Sequence, residues 1–288
     1  MKPAPFAYLR PSTLEEALAA LAGEQGAKVL AGGQSLVPLL NMRLAAPSML
    51  VDINALPDLG HVRVAEDGVR VGALARHAEV LASAEAAQAQ PLQGMALSHV
   101  AHPTIRNRGT TVGSIVHADA AAEMPMVLRL LEGSIDVTSV RGRRTIPAAE
   151  LFAGPLESTL AHDEIAVEAF FPGLAPGAGV AFQEITRRHG DYALVGVAAH
   201  VETDGEAVTR ARVGFVSVSD VPVVVDVTDA VQDPTGDPAR AALAELDPAE
   251  DIHATAAYRT HLVKVLAPRV LAAATDHARS RAGEAIHP

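Results

Sequence analysis

The sequence predicts an α+β fold, because its strands are followed by helices and do not alternate strictly with them. Three observations favour this class. A capping box opens an amphipathic helix near the N-terminus. The turn Glu66-Asp67-Gly68 between two apolar runs is typical of a β-hairpin. Several strand-like runs then follow one another before the closing helices.

The first predicted unit covers residues 1–55. Ser12-Thr13-Leu14-Glu15 is the capping box, and apolar residues at 14, 17, 18 and 21 recur at helical spacing, so a helix is predicted over 13–22. A strand over 28–30, a short helix over 36–42 and a strand over 49–53 complete a small α/β unit. A glycine-bearing loop follows its first strand at the carboxyl end, where ligands of α/β units tend to lie.

The second predicted unit covers residues 56–173, and the third covers 178–288. The second contains the hairpin, helices over 75–87, 92–100 and 120–131, and strands over 135–140 and 165–171, with a basic turn at 141–144. Pro172-Gly173-Leu174-Ala175-Pro176-Gly177 is typical of a linker. The third contains strands over 181–186, 194–201, 211–218 and 221–225, then helices over 239–245 and 258–281.

Composition excludes several classes of function. The 288 residues are 49% apolar and 20% charged with a net charge of −11, which disfavours nucleic acid and anionic membranes as partners. No apolar run is long enough to span a membrane, and the first residues lack the apolar segment of a signal peptide, so a cytoplasmic location is predicted. With no cysteine, the chain has no disulfide, no thiolate metal site and no cysteine-ligated iron–sulfur cluster.

Two glycine-bearing loops carry the main functional signal. The first is Ala31-Gly32-Gly33-Gln34-Ser35 and the second is Thr110-Thr111-Val112-Gly113-Ser114. Glycine lets a ligand approach the backbone closely, and rows of N–H groups in such loops bind anions. Neither loop matches G-x-G-x-x-G or a mononucleotide P-loop. Two hydroxyl-bearing loops could hold the two phosphates of one dinucleotide, or each could be only a tight turn.

Other residues allow two interpretations. Asp119 and Glu123, beside the second loop, are either acids stabilised at a helix N-terminus or ligands to ribose or ribityl hydroxyls. Tyr192, in Gly190-Asp191-Tyr192, either packs on a neighbouring strand or faces a planar cofactor ring. His99, His102 and His117 lack a convincing third ligand, so no metal site is predicted.

The two loops, with Val51-Asp52-Ile53, His117-Ala118-Asp119, Glu123-Met124-Pro125 and Gly190-Asp191-Tyr192-Ala193, resemble the FAD-binding medium subunits of molybdenum hydroxylases. These include subunits of carbon monoxide dehydrogenase, quinoline oxidoreductase and nicotine or caffeine dehydrogenases. The resemblance implies a fold of the PCMH/vanillyl-alcohol-oxidase type, in which two α/β units clamp FAD beside a C-terminal antiparallel sheet with helices.

The resemblance also implies the site. Its cofactor-binding residues would be Ala31, Gly32, Gly33, Gln34, Ser35, Thr110, Thr111, Gly113 and Ser114 at the pyrophosphate, Asp119 and Glu123 near the ribityl and adenosine parts, and Leu160 and Tyr192 at the flavin ring. No catalytic acid or base and no metal ligand is expected in this chain. Related loops carry glycine where this chain has Val112 and asparagine where it has Ser114. Glu184 stands where some relatives have lysine near the flavin. The loss of that positive charge would lower the flavin potential.

The function implied is that of an oxidoreductase subunit. It would pass electrons from [2Fe-2S] clusters of a small subunit, through FAD, to an external acceptor. A large subunit would carry the molybdenum–pterin centre, and the assembly would be a dimer of heterotrimers. The absence of cysteine fits clusters held by a partner. The alternatives are a stand-alone PCMH-type flavin oxidoreductase acting directly on a small substrate, and a flavin-free scaffold whose loops are only turns.

Overall fold

A three-stranded parallel sheet, ordered β1-β3-β2, begins the computed structural model, which describes residues 2–205 and 207–284. Helix α1 starts where predicted, since the Thr13 side chain accepts a hydrogen bond from the Glu16 amide at 3.2 Å. Its buried face, with Leu18 and Leu21, packs on this sheet. The elements are β1 (Ala7–Leu9), α1 (Leu14–Gly23), β2 (Ala27–Leu30), α2 (Leu36–Met42) and β3 (Met49–Asp52).

A five-stranded antiparallel sheet follows, ordered β4-β5-β10-β6-β7. Its buried face is rich in β-branched and aromatic residues and is covered by helices. The elements are β4 (Val62–Ala65), β5 (Gly68–Gly72), α3 (His77–Ala82), α4 (Ala84–Ala89), α5 (Pro91–Leu97), α6 (Pro103–Arg106), α7 (Thr111–His117), α8 (Glu123–Leu130), β6 (Ser134–Ser139), β7 (Gly142–Pro147), β8 (Phe152–Gly154), β9 (Glu157–Ser158) and β10 (Ile165–Pro172).

A four-stranded antiparallel meander forms the last part of the chain, with a long helix packed on one face. Helix α8 packs on the other face, where Met126 lies against Gly214, so both sheets share one core around α8. The elements are β11 (Ala178–Ile185), β12 (Val195–Thr203), β13 (Val208–Val216), β14 (Val223–Asp226), α9 (Thr228–Gln232), α10 (Pro238–Leu243) and α11 (Ala256–Glu284).

The α+β class is confirmed, and most predicted elements are found within a few residues of their expected bounds. The single helix predicted over 75–87 is wrong. The chain breaks at Ser83, whose side chain accepts from the Ala86 amide at 3.2 Å and starts a new helix. The basic turn predicted over 141–144 is also wrong in part, because Arg143 and Arg144 lie on β7. No helix among the described residues is long and apolar enough to cross a membrane.

Candidate functional site

The two glycine-bearing loops touch each other at Gly32. A Cβ built on Gly32 would lie 2.8 Å from the Gly109 Cα and 2.9 Å from the Thr110 nitrogen, and closer still to the Arg108 carbonyl oxygen. All three atoms are backbone, so no side-chain movement could make room. Only glycine permits this approach. Two loops far apart in sequence therefore form one surface.

The first loop presents a row of free donors. Among the described residues, the backbone amides of 33–36 donate to no acceptor. Gly33 has a φ of +73°, a conformation that glycine adopts without penalty. The Gln34 side chain donates to the Gly32 carbonyl at 3.0 Å and stiffens the turn. Ser35 stands at the N-cap of α2 without a capping bond, and its hydroxyl has no hydrogen-bond partner in the part of the chain that the structure describes. Such a run of unpaired amides is suited to an anion.

The second loop is the first turn of α7. The Thr110 side chain accepts from the Gly113 amide at 3.2 Å, and the buried Thr111 hydroxyl lies 3.1 Å from Nδ1 of His77. Burial, with the charge of Arg106, lowers the pKa of His77 to about 4, so this ring is neutral at pH 7. Both threonine hydroxyls therefore have partners within the chain. The Val112 amide and the Ser114 hydroxyl have none within the described residues.

Valine at position 112 causes no strain. Val112 lies in the first turn of α7 and is absent from the residues with positive φ. Its side chain is buried in the core under the five-stranded sheet. A right-handed helical backbone accepts a valine side chain without the steric penalty that a positive φ would impose. The loop geometry at this point therefore needs no glycine.

Replacing Thr110 with alanine is expected to lower the free energy of unfolding by about 1 kcal/mol, the usual value of an N-cap. The reason is that the Gly113 amide loses its acceptor at the start of α7. Urea unfolding of the FAD-free protein measures the change. Thr110→Ser keeps the oxygen and is the matched control. Equal unfolding curves for the alanine variant and the parent would contradict the assigned cap.

Two side chains that sequence reasoning missed connect the loops. Arg76 donates to the Arg108 carbonyl and to Oδ1 of Asn54, both at 2.7 Å. Asn54 in turn donates from Nδ2 to the Ala31 carbonyl at 2.9 Å. The three segments are distant in sequence, and neither residue belongs to a glycine-bearing motif. No local pattern signals their contact.

Asp119 and Tyr192 line one cleft of about 530 Å³. It opens between the segment after α7 and the connections at one end of the four-stranded sheet. Asp119 accepts from the Ala121 amide at 2.9 Å, so it shapes the turn before α8. The Tyr192 side chain is exposed, at 61%. Partial burial and the carboxylates of Asp119 and Glu123 raise the pKa of Tyr192 to about 12, so its hydroxyl keeps its proton.

Glu123 and Glu184 form an unusual pair of buried acids. Glu123 is 5% exposed. Burial, together with the charges of Glu184 and Asp119, raises the pKa of Glu123 to about 8. Oε1 of Glu184 lies 3.2 Å from Nδ1 of His99, and its Oε2 has no hydrogen-bond partner. Glu123 is also the first residue of α8, so the interpretation as an acid at a helix N-terminus stays open beside that of a cofactor ligand.

Three further positions singled out from the sequence are Leu160, His99 and His102. Leu160 lies between β9 and β10, half-buried against the core of the five-stranded sheet. His99 pairs with Glu184, and His102 stacks edge-on with His189 at a ring separation of 6.3 Å. No group of three His, Cys, Asp or Glu side chains in the described part of the chain could hold a metal ion.

Comparison with known proteins gives the family. Residues 4–174 match the family described as the FAD binding domain in molybdopterin dehydrogenase. The chain belongs to this family. Residues 180–274 match the C-terminal domain of the CO dehydrogenase flavoprotein. The resemblance stated from the sequence is confirmed, and the chain is an FAD-binding member of a family of oxidoreductase subunits.

The relatives cover nearly the whole chain. The 6-hydroxypseudooxynicotine dehydrogenase complex subunit alpha of Paenarthrobacter nicotinovorans is 41% identical over 97% of both chains. The nicotine 6-hydroxylase medium subunit of the same organism is 39% identical over 94% of this chain and 98% of its own. A solved chain of the carbon monoxide dehydrogenase from Hydrogenophaga pseudoflava superposes with a TM-score of 0.91, at 32% identity, over 96% of this chain and 99% of that one.

The residues at the two loops fit FAD. The pyrophosphate of FAD needs several hydrogen-bond donors from more than one direction. The free amides of 33–36 and of Val112, with the hydroxyls of Ser35 and Ser114, are such donors on two loops that touch. Donors that have no partner within the chain are costly unless water or a ligand satisfies them.

Proposed function

We propose that the chain is the FAD-binding electron-transfer subunit of a heterotrimeric molybdenum hydroxylase. It would pass electrons from [2Fe-2S] clusters in a small subunit to an external acceptor, while a large subunit carries molybdenum–pterin. FAD supplies the redox chemistry when bound. The observation that carries the proposal is the contact of two loops that each carry backbone amides, those of 33–36 and of Val112, without a partner in the described part of the chain. Relatives named as medium or complex subunits support the assembly.

Within this proposal, each part of the chain has a role. Residues 31–35 and 110–114 hold the pyrophosphate, chiefly through backbone donors and the two serine hydroxyls. Asp119 and Glu123 lie toward the ribityl and adenosine parts, and Leu160 and Tyr192 toward the flavin ring. The units 1–55, 56–173 and 178–288, the dimer of heterotrimers and the cytoplasmic location stay predictions.

The visible absorption spectrum of the purified chain tests whether it binds FAD. Any flavin that it releases is then identified. We expect the bands of an oxidised flavin and FAD in about equal amount to protein. A colourless chain that takes up no added FAD, alone or with its partner subunits, would contradict the proposal.

Assays with small substrates then distinguish an electron-transfer subunit from a stand-alone oxidoreductase. The isolated chain should show no turnover, because no acid or base is expected to act on a substrate here. Turnover should appear only when the large and small subunits are present. Turnover by the chain alone would favour the alternative.

A further inference from the structure

A relay of side-chain hydrogen bonds joins the two glycine-bearing loops. It runs from the Ala31 carbonyl through Asn54 to Arg76 and ends on the Arg108 carbonyl, with distances of 2.9, 2.7 and 2.7 Å. Arg76 is charged, and hydrogen bonds from a charged donor are stronger than neutral ones. Its planar guanidinium reaches both acceptors at once, as a forked donor does.

The relay ends at the point where the loops touch. The Arg108 carbonyl that accepts from Arg76 is the same group that Gly32 approaches most closely. Its position therefore determines how near the first loop can lie to the second. A small shift of this carbonyl would change the separation between the amides of 33–36 and the Val112 amide.

Both relay residues are themselves firmly held. Arg76 pairs with Thr110 in an isolated β-bridge, and its neighbours Ala75 and His77 bond to the backbones of Thr111 and Gly109 at 3.3 and 3.0 Å. Asn54 is oriented by Asp52, whose Oδ1 accepts from the Asn54 amide and from its Nδ2 at 3.0 and 2.6 Å. These contacts fix the amide of Asn54 so that its oxygen meets Arg76 and its nitrogen meets Ala31.

We propose that Arg76 and Asn54 are positioning residues that set the spacing of the two FAD loops. They control FAD affinity through the Ala31 and Arg108 carbonyls and not through contact with the cofactor. This rests on the proposed function, in which both loops bind the pyrophosphate. A spacing fixed before binding saves the ordering cost that flexible loops would pay.

The test measures the FAD dissociation constant of the full chain after flavin removal, by titration with FAD. Asn54→Asp keeps the acceptor for Arg76 and loses the donor to Ala31, while Arg76→Met loses both bonds. Each is expected to weaken FAD binding by at least about tenfold, the value of one hydrogen bond to a charged or fixed group. The double variant should bind about as well as the weaker single variant, because the relay acts as a unit.

Arg76→Lys separates positioning from a direct charge on the phosphate. Lysine keeps the charge but cannot donate to both acceptors as the planar guanidinium does. The affinity of the Arg76→Lys variant for FAD should therefore fall as in Arg76→Met. Parent-like affinity for Arg76→Lys would overturn the proposal. Arg70→Met is the matched control, since it loses a forked pair with Asp67 that involves neither loop, and it should bind FAD as the parent does.

Urea unfolding of each FAD-free variant shows whether it is folded. If Arg76→Met does not fold, Asn54→Asp and Arg76→Lys decide the question. A parent chain that binds no FAD would defeat the proposed function. A parent that binds FAD, with relay variants of equal affinity, would defeat only the positioning role.

Discussion

Replacing Gly32 with alanine is expected to abolish retention of FAD during purification and to raise the dissociation constant by about 100-fold or more, which corresponds to about 2.7 kcal/mol. The new Cβ would meet backbone atoms of Arg108, Gly109 and Thr110, so one loop must move away from the other. The free energy of unfolding should also fall by about 1–3 kcal/mol, as is usual for overpacking.

Flavin content per chain and urea unfolding of the FAD-free protein measure these two effects. Gly94→Ala is the matched control, because a Cβ there meets nothing within 4 Å and the residue lies inside α5. Alanine at that position should leave flavin content unchanged and stabilise the helix by about 0.5–1 kcal/mol. A Gly32→Ala protein that keeps parent levels of FAD would show that the loops need not touch to form the site.

Replacing Glu123 with glutamine is expected to stabilise the FAD-free protein at alkaline pH and not at acid pH. The ordinary pKa of a glutamate is 4.5, and burial near Glu184 and Asp119 raises that of Glu123 to about 8. Between these values the folded chain holds a proton that the unfolded chain has released. The stability of the parent therefore falls as pH rises through this window, by roughly 3–5 kcal/mol at its upper end.

Glutamine has nearly the same shape and no proton to lose. The difference in unfolding free energy between Glu123→Gln and the parent should be near zero below about pH 4.5 and reach its maximum above about pH 8. The neutral histidines His77 and His200 titrate in both proteins and cancel from the difference. Glu66 lies in an exposed turn, so the unfolding free energy of Glu66→Gln should follow that of the parent at every pH. A constant offset for Glu123→Gln would refute the raised pKa.

The parts of the fold that the sequence predicts well have strong local signals. The Thr13 cap and the spacing of Ala17, Leu18 and Leu21 place α1 within one residue, and the Glu66-Asp67-Gly68 turn gives the β4–β5 hairpin. Strand β1 has no such signal, because its three exposed residues are held in place only by pairing with β3. Helix α7 was not predicted, because its first residues form the glycine-bearing motif that was interpreted as a loop.

The candidate site was predictable only in its backbone parts. Glycines mark where the chain turns or approaches another segment, so Gly32 and Gly33 were visible from sequence. The raised pKa of Glu123 depends on its burial and on the charge of Glu184, which lies far away in sequence on β11. Asn54 and Arg76 are polar residues of ordinary appearance, and tertiary contacts alone give them a part in the site.

The first FAD loop follows β2 of the parallel sheet, and the second is the first turn of α7, which contacts β10 and β5 of the antiparallel sheet. On the proposed site, one cofactor therefore connects segments packed on two different sheets, and its binding energy adds to the stability of the native chain. Free FAD at 100 times its dissociation constant would contribute about 2.7 kcal/mol. The supply of flavin in the cell would then help to decide how much native subunit survives to join its partners.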